Sequence, residues 1–213
     1  MKKLALILAL IMLLLCSCNR EGSGTGEAET THADGVTYEY SEDGSQKTAA
    51  VTYKDGIEIS RDSYEYDENG NIVLVKTIQN GTTVQTLENT YVDKMLTKTS
   101  KEFVDEDVVC KEVTNYNEEG YVVSTKYYED GKWTGCELYH YDDNKNMVKS
   151  ENVDEDGNVL THKEYQYNQA GRIIRADYYE FGSLTFYYTY EYDADGSLAE
   201  INQFDSNGNP IGK

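Results

Sequence analysis

A repeat of 25 or 26 residues runs through most of the chain and constrains its fold more than any other feature. The second tyrosine of each Tyr-x-Tyr pair, or of its remnant, recurs at gaps of 26, 25, 25, 25, 26 and 25 residues. These tyrosines are Tyr40, Tyr66, Tyr91, Tyr116, Tyr141, Tyr167 and Tyr192. Such regularity predicts seven structurally equivalent copies, which together fill residues 36–213 as one repeat domain.

Each copy contains two alternating segments separated by turn sequences. One segment ends in Tyr-x-Tyr, a turn such as Asp67–Gly70 follows, and a segment rich in β-branched and aromatic residues comes next. A second turn with Asp-Gly or Asn-Gly follows, at Lys54, Asn80, Asp130 and Asn207. These dipeptides favour two-residue hairpins because both residues tolerate positive φ. The sequence therefore predicts an all-β fold, an array of antiparallel β-hairpins of about 25 residues each.

The number of strands limits the shape that such a sheet can take. Two strands in each of seven copies give about fourteen strands. Open sheets seldom exceed about 10 strands without curling. We therefore expect a twisted or spirally rolled single sheet.

Tyrosine takes the place of an aliphatic core in this chain. All 20 tyrosines lie in the repeat region, while leucine, isoleucine, valine and phenylalanine are sparse. Because residues i and i+2 of a strand point to the same side, stacked copies place two rows of tyrosine on one face. By the same alternation, five residues before one turn are expected to share a face: Leu184, Phe186, Tyr188, Tyr190 and Tyr192.

The first eighteen residues differ from everything that follows. Lys2 and Lys3 precede an apolar run, Leu4–Leu15, which is short for a membrane span and typical of a cleaved export signal. The stretch Leu-Cys-Ser-Cys that ends at Cys18 resembles a bacterial lipobox. That resemblance implies a lipoprotein signal peptide over residues 1–18, cleavage before Cys18 and a lipid on its sulfur. An ordinary secretory signal cut nearby is the alternative.

Residues 19–35 are rich in Gly, Ser, Thr and Glu, and almost without apolar side chains. Such a segment is expected to act as a flexible tether between the lipid and the repeat domain. The formal net charge of −20 disfavours nucleic acid and anionic lipid as partners. The expected location is the bacterial cell envelope, with the membrane contacted through the lipid anchor.

The later copies carry a family resemblance. The stretches Tyr165–Ile174 and Tyr188–Leu198 resemble the YD repeats of RHS-type bacterial surface proteins, in which a Tyr-Asp pair is followed by Gly and an aliphatic residue. The resemblance spans all seven copies, with weak matches in the third and fourth. It implies a β-strand repeat fold and an extracellular location. RHS-type arrays often enclose a toxin, whereas this array is too short for that role.

The sequence offers few residues for metal or cofactor chemistry. Asn152, Asp154 and Asp156 alternate before a glycine like the start of a calcium loop, but Lys163 stands where an EF-hand needs glutamate. We weigh a weak calcium site against ordinary solvated turns, and we expect no cofactor. Cys110 and Cys136 are expected to be free thiols, because one strand should separate them and their strand parity differs.

Two groups of aromatic residues depart from the repeat. The first is Trp133 with Tyr127, Tyr128 and Tyr139, and the second is Tyr178, Tyr179, Phe181, Tyr187 and Tyr188. Either group would form an exposed platform that stacks on sugar rings, or a ladder that only holds a thin sheet together. A repeat of similar faces also disfavours catalysis, which needs one asymmetric pocket.

These features favour an envelope-anchored lipoprotein that acts as a non-catalytic binding or adhesion module for a glycan or a protein. A secreted hydrolase acting on polysaccharide and a purely structural envelope protein remain the alternatives.

Overall fold

The structure is a computed structural model that describes residues 32–212. The proposed signal peptide, Cys18 and most of the tether lie outside the described residues. Residues 32–212 form one sheet of fourteen strands whose spatial order is their chain order. The strands are β1 (Gly35–Tyr40), β2 (Lys47–Lys54), β3 (Ile57–Tyr66), β4 (Ile72–Gln79), β5 (Thr82–Val92), β6 (Met95–Asp105), β7 (Val108–Tyr116), β8 (Val122–Glu129), β9 (Lys132–Tyr141), β10 (Met147–Asp154), β11 (Val159–Tyr167), β12 (Ile173–Glu180), β13 (Ser183–Tyr192) and β14 (Leu198–Asp205).

The sheet is an open antiparallel meander. Within the described residues each strand contacts only the strands before and after it, so β1 and β14 are the two edges. Every hydrogen-bonded pair of strands is antiparallel, as in the pair of β8 and β9. The predicted all-β fold and single sheet of hairpins are confirmed. This part of the chain contains no helix of the length and apolarity needed to span a membrane.

Two-residue turns connect the hairpins at one end of the copies. Both central residues have positive φ, with values of 52° and 76° at Asp55 and Gly56 and 49° and 78° at Asn80 and Gly81. The predicted hairpin turns at Lys54, Asn80 and Asp130 are confirmed. The turn predicted at Asn207 is wrong in type, because Asn207 lies inside a longer turn that Asp205 closes.

Longer turns follow most of the tyrosine pairs, and they also follow β10 and β14. The third copy instead has a two-residue turn, Asp93 and Lys94. One acidic or amide side chain organises most of the longer turns. Asp67 Oδ1 accepts hydrogen bonds from the backbone N–H groups of Asn69 and Asn71, both at 2.9 Å. Equivalent bonds recur at Asn117, Asp142, Asp154, Asn168, Asp193 and Asp205. The Asp and Asn residues of the repeat are therefore turn-building residues, which agrees with their local propensity.

The second tyrosine of a pair joins one copy to the copy before it. The Tyr141 hydroxyl in β9 donates to the carbonyl of Val122, the first residue of β8, at 2.9 Å. Tyr66, Tyr167 and Tyr192 make the same bond to Lys47, Met147 and Ile173. In the third copy, which lacks the first tyrosine, the Asn89 amide donates to the carbonyl of Ile72. We call this contact the hydroxyl latch.

Register shifts change which residues share a face. A shift accompanies the second tyrosine of each copy, and others lie near the starts of β3, β5, β9, β11 and β13. In β13 the shift pairs Phe186 with Tyr178 but Leu184 with Tyr179. Leu184 is therefore separated from Phe186 and the tyrosines, and the expectation that it shares their face is wrong. The extra residue of a bulge reverses the alternation on which that expectation rested.

The sheet has very little buried apolar core. Among residues 32–212, the buried apolar side chains are Ala49, Val51, Cys136 and Ala176. Most other strand residues are half-buried, as expected of one layer whose rings cover their neighbours from both sides. Stability therefore rests on strand pairing, cross-strand ring contacts and the hydroxyl latch.

Candidate functional site

The two sides of the sheet carry different chemistry. We call the side that bears the paired tyrosines, such as Tyr139 and Tyr141 in β9 and Tyr165 and Tyr167 in β11, the tyrosine face. The register places Ser150 opposite Tyr139 and Ala176 opposite Tyr165 on that face. The other side is called the opposite face.

The first aromatic group proposed from the sequence is divided between the two faces. Tyr127 and Tyr139 lie on the tyrosine face, where both hydroxyls donate to Glu137. Tyr128 pairs with Trp133 on the opposite face. The Trp133 indole N–H donates to the carbonyl of Gly135 at 2.8 Å. The group is therefore not one continuous platform.

The second aromatic group is divided in the same way. Tyr178 and Tyr188 lie on the tyrosine face, with ring centroids 5.7 Å apart in an edge-to-face arrangement. Tyr179 and Tyr187 lie on the opposite face, stacked on His162 and Phe204 at 4.2 and 5.0 Å. Phe181 is at the tip of the two-residue turn between β12 and β13 and is 77% exposed.

A shallow groove of about 200 Å³ crosses β9, β10 and β11 on the tyrosine face. We call it the central groove. The side chains that give it chemical character are Glu137, Tyr139, Asn152, Thr161, Lys163 and Tyr165. It therefore combines two anchor tyrosines from neighbouring copies with a carboxylate, an amide, a hydroxyl and an amine.

Glu137 is held at one end of the central groove by two tyrosines. The Tyr127 hydroxyl donates to Glu137 Oε2 at 3.2 Å, and the Tyr139 hydroxyl donates to the same oxygen. Burial, reinforced by Glu137, raises the pKa of both tyrosines. Both hydroxyls therefore stay protonated at neutral pH, and they orient the carboxylate along the face.

The other polar groups of the central groove come from β10 and β11. The Asn152 amide donates to the Thr161 hydroxyl at 2.9 Å across the two strands. The Lys163 ammonium lies 5.1 Å from the centre of the Tyr178 ring. Such a set can donate and accept hydrogen bonds towards a polyhydroxylated ligand, while Tyr139 and Tyr165 offer ring faces.

The calcium candidates are not brought together around one point. Asp154 accepts bonds from the backbone of Asp156 and from Asn158, which close its own turn. Asn152 instead bonds to Thr161. Within residues 32–212, no group of three or more His, Cys, Asp and Glu side chains is placed to hold a metal ion.

Both cysteines of the described region are free thiols. Cys110 pairs with Phe103 and Glu129, whereas Cys136 pairs with Lys126 and Val153. Strand β8 separates the two cysteines, and the register places them on different faces. Free thiols at these two positions were expected, and the expectation is confirmed.

A larger cavity of about 440 Å³ lies at the β14 edge. Five consecutive residues, 200–204, border it together with Pro210 and Gly212. A single strand and the segment that follows it form this border, which is typical of a sheet edge rather than of a built site. The central groove is the better candidate because unlike polar groups from three strands converge there.

Sequence reasoning identified some of these residues and missed others. Tyr139 and Asn152 were candidates, but as members of a different aromatic group and of a calcium loop. Glu137, Thr161, Lys163 and Tyr165 were missed as site residues. Strand alternation could have identified two of them. Glu137 stands two residues before Tyr139, and Lys163 two before Tyr165, so each shares a face with that tyrosine.

Comparisons with known proteins add little to this geometry. No family model and no curated protein match the chain. A crystal structure of a porin-like protein from Bacteroides uniformis matches with 11% sequence identity, over 82% of this chain and 91% of that chain, at a TM-score of 0.29. A likeness at that level carries no argument about function.

Proposed function

We propose that the protein is a non-catalytic glycan-binding module of the bacterial cell envelope, and that its tyrosine face is the binding surface. The central groove is the main site on that face. Ring faces of Tyr139 and Tyr165 stack on sugar rings, and Glu137, Asn152 and Lys163 bond to hydroxyl groups.

The convergence of unlike groups in the central groove is the observation that carries the proposal. Repetition alone would give similar residues in most copies, as it does at the longer turns and at the hydroxyl latch. In the central groove the copies instead supply different polar residues between equivalent tyrosines. An open groove rimmed by aromatic rings suits an extended polysaccharide better than a small molecule, which usually needs a more enclosed pocket.

A glycan and cell-wall polysaccharide array tests this function. We expect the purified chain to bind a defined subset of glycans, and Glu137→Gln to weaken that binding about tenfold, as the loss of one charged hydrogen bond predicts. Glu164→Gln, the same change on the opposite face of β11, is the matched control and should bind like wild type. No glycan binding, or equal loss in both variants, would refute the proposal.

We further propose that Cys18 carries a lipid and that the repeat belongs with the YD repeats. Mass spectrometry of the chain from bacterial membranes should show a diacylglyceryl mass on an N-terminal cysteine. Cys18→Ser should abolish membrane retention, whereas Cys16→Ser should leave it intact. Retention of Cys18→Ser on the membrane would contradict the anchor without affecting the glycan proposal.

A further inference from the structure

The two edge strands of the sheet differ in how well they are protected from pairing with another strand. Pro210 bridges to Phe204 beside β14, and the N–H of Ile211 donates to the carbonyl of Gln203 at 2.8 Å. A segment of the chain therefore occupies part of the β14 edge, and a proline lies in it. Proline and chain coverage are common ways of keeping an edge strand from pairing.

Within residues 32–212, neither a proline nor a covering segment lies along strand β1. All six of its residues are exposed, and Val36, Tyr38 and Tyr40 on its tyrosine face are 54, 50 and 54% exposed. Its single charged residue, Glu39, is paired with Arg61 at 2.7 Å. The edge strand is therefore regular and apolar on one side, and its one charge is neutralised by an ion pair. Such an edge is suited to pairing with another strand.

The residues just before β1 leave its outer edge clear. The His32 ring stacks on Tyr53 of β2 at 4.1 Å. Asp34 accepts a hydrogen bond at 2.6 Å from the N–H of Asp55, in the turn after β2. Residues 32–34 are thus held towards β2, on the inner side of β1.

We propose that β1 pairs antiparallel with β1 of a second copy of this chain, forming a two-fold symmetric dimer with one continuous sheet. The sequence of β1 is self-complementary in one register. Tyr38 lies opposite Tyr38 of the partner subunit, and Val36 lies opposite Tyr40 of the partner subunit. Glu39 then faces Thr37 of the partner subunit, so no two acidic side chains oppose each other across the new pair.

Cysteine cross-linking of the full chain tests both the edge and the register. Under mild oxidation Tyr38→Cys should give a disulfide-linked dimer, because directly opposed residues of an antiparallel pair have Cα atoms about 4.5–5.5 Å apart. Thr37→Cys should stay largely monomeric, since its symmetry mate is offset by two residues along the strand. Ile201→Cys, 52% exposed on β14, should also stay monomeric.

The expected result is at least a tenfold excess of dimer for Tyr38→Cys over both controls, with an unchanged β-sheet circular dichroism spectrum. Two six-residue strands form a small interface, so the wild-type dimer should exchange rapidly with monomer in sedimentation experiments. Equal cross-linking of Thr37→Cys or Ile201→Cys, or a monomeric Tyr38→Cys, overturns the proposal. Capture of a different protein by Tyr38→Cys overturns it as well.

Discussion

At the scale of single residues, the tyrosines and a few turn residues determine both the fold and the chemistry of the surface. In four copies the second tyrosine has two structural roles, since its ring covers neighbouring side chains and its hydroxyl bonds to the previous copy. In the third copy Asn89, at the position of the missing first tyrosine, makes an equivalent contact with its amide. Tyrosines of the repeat thus serve the fold first, and only some of them border the central groove.

Removing one latch tests its contribution. Tyr141→Phe should lower the free energy of unfolding by about 1 kcal/mol, the usual net value of a hydrogen bond. Tyr40→Phe is the control, because Tyr40 belongs to the first copy of the array and is 54% exposed. Urea unfolding followed by circular dichroism measures both, and an equal effect of the two changes would contradict the latch.

Phe181 has a backbone conformation that is unfavourable for a bulky side chain. It has a φ of 47°, which L-residues with bulky side chains rarely adopt. Asn80 has a φ of 49° at the first position of another two-residue turn. Phe181→Asn should therefore stabilise the chain by about 1 kcal/mol and Asn80→Phe should destabilise it by a similar amount. Thermal melts that move both variants in the same direction would contradict this account.

At the scale of elements, the longer turns make the fold sensitive to acid. Hydrogen bonds from Asn71 hold the pKa of Asp67 below its usual range, and those from Ser41 and Ser45 lower the pKa of Asp43 to about 2. Because the folded chain then binds fewer protons than the unfolded chain, stability falls as the pH falls. The window runs from about 4, the unfolded value for aspartate, down towards the folded value.

Other copies of the repeat show which substitution would test the dependence of stability on pH. Asn117 and Asn168 organise equivalent turns without a titrating group. A chain with Asp67→Asn, Asp142→Asn and Asp154→Asn should match wild type in stability at pH 7. Its acid unfolding midpoint should lie at a lower pH than that of wild type. An unchanged midpoint in a circular dichroism titration would show that other groups control acid unfolding.

Strand existence was predictable from the sequence, while strand register was not. The period of the tyrosines, Asn80-Gly81 and Asp130-Gly131 identified the hairpins correctly. The bulges have no comparable sequence signal, because an extra residue is accommodated by backbone geometry and not by a residue type. That is why Leu184 was assigned to the wrong face, and why Trp133 does not share a face with Tyr139. The separation of Tyr127 from Tyr128 follows from strand alternation alone.

At the scale of the whole molecule, each strand of residues 32–212 contacts only the strands next to it in the chain. Whole copies of the repeat should therefore be removable without changing the pairing of the remaining strands. Deleting residues 117–141 joins Tyr116 to Asp142 and removes β8 and β9. We expect this chain to keep a β-sheet spectrum and a cooperative melt, and to lose glycan binding because Glu137 and Tyr139 are gone.

Deleting residues 117–140 is the matched control for that experiment. It removes one residue fewer and leaves two tyrosines, Tyr116 and Tyr141, side by side. A one-residue slip reverses the faces of the following strand, so this chain should melt at a clearly lower temperature. Equal melting temperatures would contradict the in-phase architecture.

A calorimetric titration of variants on the two faces measures whether the tyrosine face binds glycan. Tyr165→Ala removes a ring from the central groove, and Tyr187→Ala removes a ring from the opposite face that stacks on Phe204 at 5.0 Å. With the best glycan of the array, Tyr165→Ala should raise Kd about tenfold or more, equivalent to about 1.4 kcal/mol, while Tyr187→Ala should bind like wild type. Wild-type affinity in Tyr165→Ala, or a larger loss in Tyr187→Ala, would contradict the account.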